Sequence, residues 1–213
     1  MKPLSTATIF VSIAAYRDPQ LPLTVASLFA QAEHPERVFV GVFNQIHLQE
    51  DQDCIAPDRP NLLQHVLDYN EAQGACWARG YVWNKLLGEQ DFALQIDSHS
   101  RFAPHWDTQL LQMHADIGDE QAVITHYPMG FDTETDALDP QMYTYFNVQS
   151  FRATQLPEVT SGAVDLQAAP KRCAQTAFVA AGSLFGRGAM FKQVPYDPFI
   201  YFHGEEITYA ARL

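Results

Sequence analysis

The sequence predicts an α/β fold built on a mostly parallel sheet flanked by helices, and three observations carry that expectation. Apolar, β-branched runs alternate with segments of helical period. The runs at residues 8–16, 37–43 and 92–96 are apolar nearly throughout, as strands covered on both faces are. Pro, Gly and Asp punctuate the boundaries between segments. A chain of 213 residues that is 47% hydrophobic is long and apolar enough for one sizeable core, so residues 1–213 are expected to form a single domain.

In chain order, residues 8–16 (TIFVSIAAY) read as the first strand, closed by Arg17-Asp18-Pro19, with Pro19 suited to the first turn of a helix. Residues 21–32 (LPLTVASLFAQA) set Leu21, Val25, Leu28 and Phe29 on one helical face, and residues 37–43 (RVFVGVF) form the second strand. Residues 61–69 (NLLQHVLDY) fit a third strand, although their period also allows a helix. Residues 74–87 (GACWARGYVWNKLL) have helical spacing and lead into residues 92–96 (FALQI), a central strand with Asp97 at its carboxyl end. Trp106 and Asp107 begin another helix, with Trp106 as its anchor to the core.

Residues 129–171, rich in Asp, Thr, Gln and Pro, read as an irregular excursion with one strand-like piece at 145–151 and as candidate acceptor-binding surface. Residues 177–185 (AFVAAGSLF) return to the core. The final GEEITYAARL begins a helix, so the chain reads as cut short, with more of the same domain expected beyond Leu213.

The formal net charge of −12 argues against nucleic-acid binding, which draws its affinity from Lys and Arg on phosphates. A phosphorylated ligand would need a local remedy for repulsion, and a divalent cation with a few placed arginines is the natural one; solubility is the plainer account of the charge. Cys54, Cys76 and Cys173 are too few and too scattered for a zinc site or a disulfide framework, and read as reduced thiols. No segment approaches the roughly 20 apolar residues of a membrane span. The apolar N-terminus runs on into Arg17-Asp18-Pro19, so it is read as a buried strand and not a signal peptide, and cytoplasmic residence is expected.

In open α/β sheets, ligands bind beyond the carboxyl ends of the strands, where both Arg17 and Asp97 fall. In Asp97-Ser98-His99 the two metal-capable side chains are at i and i+2, on the same side of an extended backbone. A carboxylate with an imidazole suits a borderline divalent ion such as Mn²⁺ better than Ca²⁺, and Mg²⁺ stays open. A D-x-H triplet alone is weak, since Asp at a strand end often only caps the next turn.

Taken together, SIAAYRDP, GACWARG, LQIDSHSRF, AGSLFGRG and YFHGEE resemble the N-acetylglucosaminyltransferase family that modifies hydroxyproline on Skp1-type proteins. More distantly, their order resembles the polypeptide N-acetylgalactosaminyltransferases. The resemblance spans residues 8–213 and implies a GT-A nucleotide-diphospho-sugar transferase fold, retaining transfer from UDP-N-acetylglucosamine to a hydroxyl acceptor on a protein, peptide or glycan, and Asp97 and His99 as metal ligands. It puts a third ligand His downstream of the chain's end, with His203 as a weaker in-chain candidate.

The resemblance also implies a nucleotide-facing Arg17, whose alternatives are a salt bridge to Asp18 or a surface arginine, and a nucleotide-facing Arg79, whose alternative is an exposed helical arginine. Gly182 and Ser183, at the edge of a core strand, let a sugar or phosphate approach the backbone, or else pack. Glu205 is a sugar-hydroxyl acceptor by the same comparison, near the aromatic run Phe199, Tyr201 and Phe202; Glu206 is assigned to the helix N-terminus, where negative charge is stabilised. Either glutamate serves as a catalytic base only if the reaction inverts. His65, His105, His114 and His126 have no partner at ligand spacing. Two rivals share these features: a sugar-phosphate nucleotidyltransferase, and a non-catalytic nucleotide-sugar-binding module.

Overall fold

The computed structural model describes residues 3–137, 142–153, 155–168 and 172–213. Strand β1 (Ile9–Tyr16) leads through helix α1 (Leu21–Gln31) to β2 (Val38–Ile46), then β3 (Leu62–Asp68), α2 (Ala75–Tyr81), β4 (Phe92–Asp97), α3 (Trp106–Ile117) and a two-residue β5 (Ile124–Thr125). A hairpin of β6 (Met142–Phe151) and β7 (Pro157–Asp165) precedes β8 (Ser183–Arg187), α4 (Gly188–Gln193) and α5 (Glu205–Ala210). The main sheet has the order β3-β2-β1-β4-β8-β5, parallel through β4, with β8 antiparallel to both of its neighbours, β4 and β5. The expected mostly parallel sheet is therefore present, with β8 running against the other strands.

Period-two alternation decides the layers. Ile9, Val11 and Ile13 of β1, with Phe92, Leu94 and Ile96 of β4, pack against Leu21, Val25 and Leu28 of α1 and Trp106 and Leu111 of α3. Phe10, Phe43 and Ala93 face the other way, onto Cys76, Ala78 and Trp83 beneath α4 and α5. Full burial of aliphatic side chains such as Leu21 and Leu28 stabilises by roughly 1.5–3 kcal/mol each. The same parity puts Gln95 and Asp97 on the α2 side. Gln95, wholly buried, accepts from Trp83 Nε1 at 2.9 Å and donates to the Ala181 carbonyl and Tyr196 hydroxyl at 2.8 Å each, so a polar residue sits in the central strand with its bonds satisfied.

Several boundaries differ from expectation for identifiable reasons. α1 begins at Leu21 and not at Pro19, because the Asp18 carboxylate accepts the Gln20 N–H (2.9 Å) and its carbonyl the Leu21 N–H (3.2 Å), forming a turn first. The helix expected over 74–87 changes at Val82 into a π-helical turn, Val82–Leu86, closed by Leu87 N–H on the Val82 carbonyl at 3.1 Å. That turn carries Trp83, stacked on Phe191 with centroids 4.4 Å apart.

The excursion at 129–171, where described, contains the antiparallel pair β6–β7; residues 138–141, 154 and 169–171 of it lie outside the described residues. β7 is hidden in the sequence by its Pro, Ser and Gly. Gly162 stands opposite Tyr145, whose ring covers the position a Cβ would take. No helix among the described residues is long and apolar enough to cross a membrane.

Gly74, just before α2, has φ +101° and ψ 170°, a region open essentially to glycine alone, and a Cβ there would lie 2.6 Å from the Tyr201 carbonyl. That carbonyl accepts the Ala75 N–H at 3.0 Å, pinning the 199–202 segment to the start of α2. Gly74→Ala is expected to cost about 2 kcal/mol and lower Tm by about 4–8 °C in thermal unfolding. An unchanged Tm would contradict this account of the junction.

Candidate active site

Asp97 ends β4 opposite Ala14 of β1, and its side chain is 38% exposed. Its two oxygens are differently engaged. Oδ1 accepts from Arg79 Nη2 at 3.1 Å, and Oδ2 lies over Gly182, where a Cβ would approach it to 2.5 Å. The structural reason for Gly182 is thus the Asp97 carboxylate itself, which occupies the approach expected for a sugar or phosphate. Ser183 turns away and shares a 2.9 Å hydrogen bond with His126 Nδ1.

Arg79 is neither exposed nor free: it is 6% exposed, and its Nη1 donates at 2.5 Å to Oε2 of Glu205, itself 5% exposed. Burial opposes its charge, but Glu205, the Tyr196 phenol and Asp97 together hold it firmly protonated. The Cys76 thiol donates to the same Glu205 oxygen at 3.1 Å, and burial with the Glu205 charge pushes that thiol well above its usual range, so it is no nucleophile. Glu206 extends the tie between α5 and the sheet: its Oε1 accepts the Ala181 N–H at 2.7 Å and its Oε2 faces the Tyr127 hydroxyl at 3.4 Å. Burial raises its pKa.

His99 lies beyond the strand. Because β4 ends at Asp97 and the chain bends at residues 98–99, strict i, i+2 alternation does not govern its direction. It is held instead from the β1–α1 turn, where Asp18 Oδ2 takes His99 Nδ1 at 2.8 Å and the Ser98 hydroxyl at 2.5 Å. The Ser98 carbonyl and Ser100 N–H are both fixed by the Thr24 hydroxyl of α1, at 2.6 and 2.9 Å. Burial works against ionisation of Asp18, yet the bonds from His99, Ser98 and the Gln20 N–H hold its carboxyl down to about 2. The hydrogen bond to Asp18 raises the His99 pKa.

Arg17 was expected to face the nucleotide, with a salt bridge to Asp18 or a surface position as the alternatives. Arg17 instead makes a bidentate pair with Asp51 at 2.6 and 3.0 Å and stands 4.8 Å from the centre of the Tyr69 ring. His203 is exposed, its ring 5.2 Å from that of Phe202.

A cleft of about 190 Å³ opens beside this network, lined by residues 14–16 at the end of β1, Gln45 at the end of β2, Gly74, Ala78 and Arg79, with Tyr201 and Phe202 as its outer wall. It lies at the carboxyl ends of β1 and β2, beside α2, and ligands of such sheets bind beyond the carboxyl ends of the strands. Its volume is about six times a water molecule's share of the liquid, room for one ring-sized group.

The donor set fits a divalent ion in part. Asp97 and His99 supply a carboxylate and an imidazole, and His99 Nε2 has no hydrogen bond among the described residues. Among those residues no group of three or more His, Cys, Asp or Glu side chains is placed to hold a metal.

Removing Arg79 would strand two carboxylates, one of them buried. Arg79→Ala is expected to lose about 3–5 kcal/mol in denaturant unfolding, with Arg79→Lys recovering only part, because one ammonium lacks the fork that spans Glu205 and Asp97. A loss below about 1 kcal/mol for the alanine variant would show the bridge to be unimportant.

A family model described as glycosyltransferase (GlcNAc) matches residues 8–65 and 58–213. No curated protein matches the sequence. Among solved structures, TarS 1-349 of S. aureus is similar over 95% of this chain and 55% of its own, at 12% identity and a TM-score of 0.56. The same fragment in complex with UDP-GlcNAc matches at 13% identity and 0.56, covering 95% and 52%, and in complex with UDP at 13% and 0.57, covering 95% and 54%. The chain spans about half the length of these relatives, and the likeness gives it a GT-A-like fold.

Proposed function

This chain belongs to the GlcNAc glycosyltransferase family, and on that premise we propose that it transfers N-acetylglucosamine from UDP-N-acetylglucosamine to a hydroxyl on a protein, peptide or glycan, with a divalent metal, Mn²⁺ ahead of Mg²⁺, as cofactor. The observation that carries the reading is the position of Asp97. It ends the central β4, next to the crevice at the strand ends, and is held there by Arg79, which also lines that crevice. The UDP-GlcNAc complex of the similar TarS fragment supports the choice of donor. Family membership counts against the nucleotidyltransferase alternative.

In this reading the uracil or ribose enters the cleft over the small side chains of Ala14, Ala15 and Ala78, with Tyr201 and Phe202 as apolar walls. Asp97 and His99 would hold the metal, which when bound supplies positive charge against the diphosphate as the sugar bond breaks. Arg79 fixes the Asp97 carboxylate so that it need not reorganise as charge develops. Glu205 is spent on Arg79 and Cys76, and Glu206 on the Ala181 N–H, so neither stands as an unengaged base. This supports retention of configuration, with the acceptor oxygen approaching on the side from which the diphosphate leaves.

The test is calorimetric titration of UDP and UDP-N-acetylglucosamine with and without Mn²⁺. The native protein is expected to bind more tightly with Mn²⁺, and Asp97→Ala to lose at least about 10–100-fold of that gain. Equal affinities in all four conditions would remove the metal role. NMR of any transferred product reads the anomer: retention is expected, and an inverted product would return Glu205 and Glu206 to candidacy as bases. Tight UDP binding with no turnover on any acceptor or on water would make the chain a binding module.

A further inference from the structure

We propose that Asp18 is a positioning residue that fixes the His99 imidazole with its proton on Nδ1 and its Nε2 lone pair free for the metal, an inference that rests on the proposed role of His99 as a ligand. The geometry is built from three directions. Asp18 Oδ1 is held by the Gln20 N–H at 2.9 Å, while Oδ2 receives the Ser98 hydroxyl at 2.5 Å and His99 Nδ1 at 2.8 Å. The Asp18 side chain is 15% exposed and that of His99 62% exposed, so the fixed partner is the carboxylate and the swinging one the ring.

An ionised carboxylate only accepts hydrogen bonds, so the nitrogen facing it must carry the proton, and a neutral imidazole then has its lone pair on Nε2. Metal-binding histidines are commonly oriented by such a carboxylate behind them. Without it, an exposed His99 would sample several rotamers and both tautomers, and the ordering cost would fall on metal binding.

The backbone supports the same conclusion. Arg17 has φ +47°, in the left-handed region that a long, non-glycine side chain rarely adopts. That conformation follows the last strand residue and turns the chain so that Asp18 faces the 98–99 bend, while the Arg17 side chain leaves toward Asp51. Strain kept at such a position is expected where the placement of the next residue matters. Thr24 completes the arrangement by holding the backbone on both sides of His99.

Two measurements test this on the whole chain. In the native protein without metal, long-range ¹H–¹⁵N correlation of the imidazoles, run above their titration range and assigned with His99→Gln, is expected to show Nδ1 protonated and Nε2 bare. The opposite tautomer would overturn the inference whatever the variants do. Mn²⁺ binding followed by electron paramagnetic resonance at saturating UDP is expected to weaken by about 10–100-fold in Asp18→Ala and by less in Asp18→Asn, whose amide oxygen still accepts from Nδ1. Affinity for UDP without metal should stay constant in both. Unchanged Mn²⁺ affinity in both Asp18 variants, with Asp97→Ala defective, would overturn the role of Asp18 and leave the proposed function standing. Absence of Mn²⁺ binding by the native protein would instead overturn the metal reading, and this inference with it.

Discussion

A buried guanidinium shared by two carboxylates holds the candidate site together. Arg79 joins Glu205 on the last helix to Asp97 at the end of the central strand, and so fastens α2, α5 and β4 at one point. Two negative charges around one positive leave a surplus, and it falls on Asp97, the more exposed of the two carboxylates. An arginine suits this position because its planar fork reaches both partners and keeps its charge when buried. The arrangement is costly to desolvate and gives little net stability over an apolar equivalent. Its value lies in fixing the direction of the Asp97 carboxylate, which Gly182 permits by having no side chain.

His99 is secured by the β1–α1 turn, through Asp18. The two residues of the D-x-H motif are thus backed by partners of opposite charge: a cation behind the carboxylate and an anion behind the imidazole. This follows from where the strand stops. Asp97 is the last residue in register; the bend after it brings the Ser98 carbonyl to Thr24 of α1 and the side chains of Ser98 and His99 to Asp18 in the β1–α1 turn. Each backing group lowers the reorganisation needed for its partner to act on a charge.

How much of this could be read from the sequence follows from the range of each interaction. The β1, β2 and β4 strands were legible because buried parallel strands are apolar along their whole length, and the same reading put Asp97 at a strand end. β7 was not, since Pro157, Ser161 and Gly162 suppress the strand signal and its alternation exists only against β6. The π-helical turn after α2 depends on Trp83 meeting Gln95 and Phe191, contacts that no local pattern announces. The backing of the motif was equally hidden: Asp18 lies 81 residues from His99 and Arg79 lies 126 from Glu205. Arg17 was read as facing the nucleotide, with a salt bridge to Asp18 or a surface position as alternatives, whereas its guanidinium goes to Asp51, a partner 34 residues away.

The engagement of both arginines bears on how an acidic chain would hold a diphosphate. Arg17 and Arg79 were the cations expected to meet the nucleotide, yet Asp51 occupies the first, and Glu205 with Asp97 the second. Freeing Arg79 would expose a buried carboxylate and cost several kcal/mol, more than one added phosphate contact at an exposed site returns. Arg17 is easier to release, being at the surface, but would surrender a bidentate pair to do so. In the proposed reading a divalent ion on Asp97 and His99 would bring positive charge to the donor without dismantling either pair, and the surplus negative charge around Arg79 would serve to hold that ion.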